Sequence, residues 1–336
     1  MYYTNKMKIP LAVAVFLATD NYEHPKTPSE ISVTTLIKPI RQILLQERAL
    51  VPPDVSPKEE VESIGVCIGD ISDLIHSKLG SAIHEGIERA WLNPQSALSK
   101  LQMPKEVIEA VVVNPEKGTD LTDKIPIYLE TRNKRELDGF TVSGAIDICT
   151  YGSLGDFKNT GTFMYTKKKS DKKYILQGSI YRWLDSEMIT EDIMHIYFIF
   201  KDWSKNKALA SDKYPPSPIH DYQLEMMSYE ATEHYLKHKL AEIAKYRNTK
   251  EADLPLCPDE DLWMDESEYK YYAKADAKRA TKVFGTDAAG AYAHKASKGV
   301  GEVREIKAEP KACSWCSAVK CSQRDTFVSS GILTLT

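Results

Sequence analysis

Apolar residues recur at helical spacing twice in the first hundred positions. Leu36, Ile40, Ile43 and Leu44 predict a helix within Ser29 to Leu50. Ile71, Leu74, Ile75, Leu79, Ile83, Ile87 and Ala90 form one stripe and predict a stronger helix from Asp70 to Trp91, with Asp70 or Ser72 as its cap. From about residue 125 the period changes from 3.6 to two. Ile127 to Thr131, Phe140 to Cys149 and Leu154 to Lys158 read as strands. A helix from Lys173 to Leu184 and a buried strand from Ile193 to Trp203 follow. A long helix is predicted from Tyr222 to Arg247, and the acidic, proline-containing stretch Asn248 to Glu268 reads as a linker. Helices near 267–284 and 286–297 and a short strand near 302–307 complete the pattern. This order is mixed α/β, because a sheet with helices on its faces is the natural way to bury such strands. It divides into an N-terminal helical segment (1–69), an α/β core (70–247) and a helical C-terminal extension (248–336).

Composition alters this picture only at a few points. The formal charge is −4, from 44 basic and 48 acidic residues, which excludes an all-over basic coat but leaves room for a local basic patch. No apolar run approaches the roughly 18 residues of a membrane span. The run Ile9 to Ala18 follows Lys6 and Lys8 as in a signal peptide, but no small-x-small cleavage site follows before Asp20, so a packed N-terminal segment is expected. There are six cysteines, Cys67, Cys149, Cys257, Cys313, Cys316 and Cys321. The last three fall within nine residues, a clustering that points to metal ligation in a reducing cytoplasm rather than to disulfides. Cys149 ends an apolar strand and reads as core.

The candidate chemistry lies on the strands. Asp147 ends or nearly ends one, and Asp156 and Lys158 sit two apart on the next, so the latter pair share a face. Antiparallel neighbours would bring Asp147 alongside Asp156, and two converging carboxylates suit Mg²⁺ or Mn²⁺. A lysine beside them can orient or help deprotonate a water, or stabilise charge on a phosphate. His84, with Glu88 one turn on, offers a nitrogen ligand from the upstream helix. Gln177 and Tyr181 are one turn apart on the downstream helix and can hydrogen-bond phosphates or bases. Lys167, Lys168 and Lys169, helped by Arg182, could supply the local positive field.

Four motifs stand in order: GSAIH at 80–84, GAID at 144–147, DFK at 156–158 and QGSIY at 177–181. Together they resemble the RecB-like branch of the PD-(D/E)xK nuclease superfamily over roughly residues 70–205. The resemblance implies a restriction-endonuclease-like core and a Mg²⁺- or Mn²⁺-dependent deoxyribonuclease, first an exonuclease on single strands or DNA ends. It implies His84, Asp147 and Asp156 as metal ligands, joined by the Phe157 carbonyl, with Lys158 as the catalytic lysine and Gln177 and Tyr181 contacting DNA. Cys313-x2-Cys316-x4-Cys321 is similar to the C-terminal triplet of CRISPR-adaptation and AddB-type nucleases, which a distant cysteine completes to hold a [4Fe–4S] cluster. Thiolate spacing alone leaves Zn²⁺ open. Cys257, in a loop before proline, is preferred to Cys67 as the fourth ligand, although in those families the distant cysteine precedes the core. A phage-encoded, stand-alone enzyme of a prokaryotic cytoplasm fits this size. The rival readings are a non-catalytic nucleic-acid-binding protein that retains the fold and a zinc-stabilised scaffold.

Overall fold

The computed structural model describes residues 2–19, 27, 29–49, 67–264, 266–316, 318, 320–334. Along the chain, β1 (Tyr2–Thr4) pairs in parallel with β3 (Cys67–Asp70), and the apolar run becomes α1 (Leu11–Ala18). One side of α1 is packed, with Ala14 and Leu17 against Ile71. The helix predicted within 29–50 is broken. It begins as β2 (Glu30–Ser32) and α2 (Val33–Leu36) and resumes after Pro39 as α3 (Ile40–Ala49). A proline lacks the N–H a continuous helix needs there and biases the residue before it away from helix.

The second predicted helix starts as a 3₁₀ turn, Ile71–Leu74, and continues as α4 (Ile75–Trp91). Asp70 caps it, accepting from Ser72 N at 3.0 Å. Two short helices, α5 (Gln95–Lys100) and α6 (Lys105–Ala110), lead to β4 (Val111–Val113). Then come β5 (Ile125–Leu137), β6 (Phe140–Thr150), β7 (Ser153–Thr160), α7 (Thr162–Lys167), α8 (Asp171–Leu184) and β8 (Ile193–Phe200). After α9 (Lys205–Ala210), the start of the predicted long helix proves to be an edge strand, β9 (Ile219–Glu225), and only then does α10 (Tyr229–Tyr246) begin.

The described chain forms two compact units, Met1–Ile37 with Val55–Leu240, and Lys38–Asp54 with Ala241–Thr336. The first is built on a mixed, curled sheet in the order β4-β5-β6-β7-β8-β9, with β2 alongside β6. β7 and β8 are parallel, whereas β5–β6, β6–β7 and β8–β9 are antiparallel. α8 lies against β6 and β9, and α4 against β7. Val142, Leu154, Ile180, Trp183, Met194, Ile196 and Phe198 are all but inaccessible to solvent. A second group, Ile127, Leu129 and Ile148, packs with Trp91, Phe157 and Tyr197.

In the second unit the predicted helix near 267–284 is absent. β10 (Glu268–Tyr272) and β11 (Lys282–Val283) stand there instead, in a three-stranded antiparallel sheet with β12 (Glu302–Ile306), against which α11 (Ala288–Lys298) lies. The Ala- and Lys-rich composition favours a helix, but pairing with β12 holds the start of the stretch extended, and Tyr271 meets the ring of His294 on α11. α12 (Ser322–Ser329) closes the unit. Leu254 and Leu262, inside the stretch predicted to be a linker, are buried.

Candidate active site

The β6/β7 ladder pairs Ile148 with Gly155 and stops there. The next pair in that register is Asp147 and Asp156, so both carboxylates stand where the strands cease to bond. Asp147 fills the gap itself, its Oδ2 accepting Phe157 N–H at 2.8 Å. Asp156 and Phe157 point to opposite faces, as alternation requires. Asp156 accepts from Gln177 Nε2 of α8 at 3.2 Å, and Phe157 packs edge-on against His84 of α4. The Phe157 carbonyl contacts His84 Nε2 at 2.9 Å, and His84 Nδ1 lies 3.5 Å from Asp147 Oδ2.

Glu130 completes the site, and no motif in the sequence points to it. The β5/β6 register pairs Leu129 with Ile148 and Thr131 with Ile146, which sets Glu130 directly opposite Asp147. That pair makes no ladder contact, and Glu130 adopts a left-handed φ of +47°, a conformation that costs about 1–2 kcal/mol. Ligand atoms of His84, Glu130 and Asp147 lie within 4.8 Å of one another. Like charges directly across a pair of strands repel, so two carboxylates held this way are suited to a cation between them. The one signal in the sequence is a lone Glu within an apolar strand, which carries no meaning until its cross-strand partner is known.

Titration directions agree. Burial is the main cause that pushes Glu130 up to about 7, with the charges of Asp147 and Glu88 adding to it. Burial also raises the Asp156 carboxyl, against the pull of Lys158 and with the push of Asp147. Lys158 is ion-paired with Asp156 and lies over the Tyr174 ring. Burial lowers its ammonium, but Asp156 and Asp147 outweigh that and hold it protonated. His84 is likewise raised, since its contacts with Asp147 and the Phe157 carbonyl overcome burial. Without metal, the pocket draws in positive charge.

The other candidate residues differ in how they relate to this centre. Gln177 Nε2 lies 3.2 Å from Tyr181 Oη as well as from Asp156. Tyr181 is 6% exposed, so it supports Gln177 from within the core. This explains Gly144 of the GAID motif, where a Cβ would stand 2.6 Å from the Tyr181 ring. Glu88 lies within electrostatic reach of Glu130. Lys167 ends α7, its ammonium 5.9 Å from the Phe163 ring centre, and Lys168 lies 5.6 Å from that of Tyr222. Lys169 is exposed. Arg182 does not contribute to a surface field. It is buried and ion-paired with Asp192.

In the second unit, Cys257, Cys313, Cys316 and Cys321 come within electrostatic reach of one another. Burial and the neighbouring sulfurs push Cys257 up to about 12 and Cys313 up to about 11. Gln323 clamps the Cys257 backbone, accepting from its N–H at 2.8 Å and donating to its carbonyl at 3.0 Å. Buried Arg41 donates to Leu254 O at 2.8 Å and Pro255 O at 3.1 Å, lies 3.9 Å from Cys321 Sγ, and is ion-paired with Glu251. Cys257 and the triplet thus share one region, although among the described residues only His84, Glu130 and Asp147 bring three ligand atoms within 4.8 Å of one another. The Cys67 side chain lies outside the described residues.

No protein-family model matches the chain, and no curated protein does. Two solved structures are similar in part. One is the crystal structure of SSO0001, with 15% identity and a TM-score of 0.38 over 69% of this chain and 87% of that one. The other is a putative exonuclease from Eubacterium rectale, with 11% identity and a TM-score of 0.34 over 67% and 88%. At these values the functional reading rests on the site itself. No helix among the described residues is long and apolar enough to cross a membrane.

The raised Glu130 carboxyl makes a pH prediction for the metal-free protein. Its folded pKa of about 7 exceeds the ordinary 4.5, so the stability it contributes is present below pH 4.5 and lost as pH rises through 7. Glu130→Gln should abolish that decline. Thermal melts in EDTA between pH 4 and about 8 test this, and identical profiles for both proteins would contradict it.

Proposed function

We propose that this protein is a divalent-cation-dependent nuclease of the PD-(D/E)xK type acting on DNA, as an exonuclease on single strands or ends. The observation that carries the reading is the convergence of His84, Glu130 and Asp147 at the point where the β6/β7 ladder stops, beside the Asp156–Lys158 pair. His84, Glu130 and Asp147 would hold Mg²⁺ or Mn²⁺, with Asp156 and the Phe157 carbonyl next to them. When bound, the ion supplies Lewis-acid polarisation of the phosphodiester and a lowered water pKa.

The chain's own residues do the rest. Lys158, ion-paired with Asp156 and lying over the Tyr174 ring, would serve as a hydrogen-bond donor and positive charge for the phosphate in the transition state. Asp156 holds that ammonium in place, and Gln177 holds Asp156. Water adds to phosphorus and releases a proton to solvent, the bond from phosphorus to one ester oxygen breaks, and that oxygen leaves with a proton from solvent. Lys167 and Lys168 neutralise phosphates of the strand. The cysteine group, taken as a [4Fe–4S] cluster ligated by Cys257, Cys313, Cys316 and Cys321, would cross-link the second unit, and such thiolate chemistry suits a reducing cytoplasm.

Digestion of end-labelled single-stranded and duplex DNA tests the reading. Cleavage is expected with Mg²⁺ or Mn²⁺ and none in EDTA. Binding without cleavage in either metal would favour a non-catalytic nucleic-acid-binding protein, and neither binding nor cleavage would favour a scaffold.

A further inference from the structure

Helix α7 directly follows the strand that carries Asp156 and Lys158. Its start is fixed. Thr162 N donates to Asp202 Oδ1 at 2.7 Å, and the Thr162 hydroxyl lies 3.3 Å from Oδ2. Its inner face is fixed as well, because Tyr165 meets Phe198, Phe200, His220 and Tyr222 edge-on at centroid distances of 5.0 to 6.1 Å. The same aromatic group reaches back to the site. Phe198 contacts Tyr174 at 6.2 Å, and the Lys158 ammonium lies 5.8 Å from the Tyr174 ring centre. A continuous, rigid aromatic layer therefore joins the proposed catalytic lysine to α7.

The outer face of α7 is different. Phe163 is 56% exposed, two residues from Tyr165 and so on the opposite side of the helix. Lys167, one turn on, holds its ammonium 5.9 Å from the Phe163 ring centre, and Lys168 sits over Tyr222. An isolated exposed phenylalanine means little. Here it is held on a pinned helix with the Lys167 ammonium beside its ring, the next residue Lys168 over Tyr222, and the aromatic layer leading back to Lys158. Alternating ring faces and positive charges match the alternating bases and phosphates of an unpaired strand.

We propose that Phe163 is a stacking platform for an unpaired base of the substrate strand, with Lys167 and Lys168 on the adjoining phosphates. The proposal rests on the nuclease reading and gives it a direction, since paired bases inside a duplex do not expose their faces. Stacking of this kind is lost roughly 5- to 100-fold on truncation to alanine.

The test is binding of the full-length protein to fluorescein-labelled (dT)20, a duplex of equal length and an abasic strand of equal length, measured by anisotropy in EDTA. Phe163→Ala should weaken (dT)20 binding by that factor, Phe163→Trp should preserve it, and wild type and Phe163→Ala should bind the abasic strand and the duplex equally. Unchanged (dT)20 binding in Phe163→Ala would overturn the proposal, and so would an equal loss on the abasic strand. Cleavage by wild type together with neutral Phe163→Ala would sink only this proposal. A wild type that neither binds nor cleaves would remove the nuclease reading beneath it.

Discussion

Lys158→Met is expected to lower cleavage by about 10³-fold or more, because it removes the cation that is ion-paired with Asp156 beside the cluster of candidate ligands. It should also change stability in a way that identifies the site. The Asp156 side chain is only 5% exposed, with Asp147 close by, so losing the ammonium leaves a buried carboxylate uncompensated. Breaking such a pair costs about 3–5 kcal/mol at neutral pH. Burial already raises Asp156, and the loss of Lys158 raises it further. The stability of the variant should therefore be greatest at low pH, where Asp156 is protonated in both states, and fall as pH rises toward the folded pKa. The double variant Asp156→Asn with Lys158→Met removes both charges and should regain stability while remaining inactive. Melting curves from pH 5 to about 8, run beside cleavage assays, distinguish these expectations. Near-wild-type cleavage by Lys158→Met would remove this site from consideration.

The second large effect is expected from the cysteines. Cys313→Ser should lose the bound metal group and loosen the second unit, leaving the sheet that carries Asp147 and Lys158 folded. Cys313 packs with Leu262 and Leu333 in that unit's apolar cluster, so a metal ligated there would be coupled directly to its packing. For structural zinc sites, metal binding contributes about 10–16 kcal/mol of folding free energy in peptides, which sets the scale of the loss. Anaerobically purified wild type should be brown, absorb broadly near roughly 400 nm and bleach on reduction, whereas Cys313→Ser should be colourless. Limited proteolysis should then cut first within 248–334. A colourless wild type with one zinc per chain would keep the ligands and replace the iron. Cys257→Ser should behave like Cys313→Ser, because Gln323 and the neighbouring sulfurs hold Cys257 in the group. If Cys67→Ser lost the group and Cys257→Ser kept it, the fourth ligand would be Cys67.

Much of the site is legible in the amino-acid order alone. His84 and the apolar stripe of its helix share a run in which near neighbours encode the conformation. Gln177 and Tyr181 are one helical turn apart, and the fold keeps them in contact. Asp147 and Asp156 would be the next pair of the β6/β7 register, just beyond the point where that ladder stops. The triplet Cys313, Cys316 and Cys321 is local, and its gathering follows from short chain separation.

Other features cannot be read this way. The segment Ile219–Glu225 resembles the start of a helix because edge-strand burial is weak, with only Leu224 well covered. The Ala- and Lys-rich stretch after Glu268 resembles a helix because its propensity is helical, while pairing with β12 holds its start extended.

The sequence by itself determined the alternation of helices and strands through the core, the order of the four motifs, and the chemistry available at each. Only the tertiary structure placed Glu130 opposite Asp147, brought Cys257 within electrostatic reach of the triplet, and turned Phe163 outward beside Lys167. The reason is physical. Periodicity is carried by residues within one or two turns of each other, whereas strand register and the approach of distant loops depend on how the whole core packs.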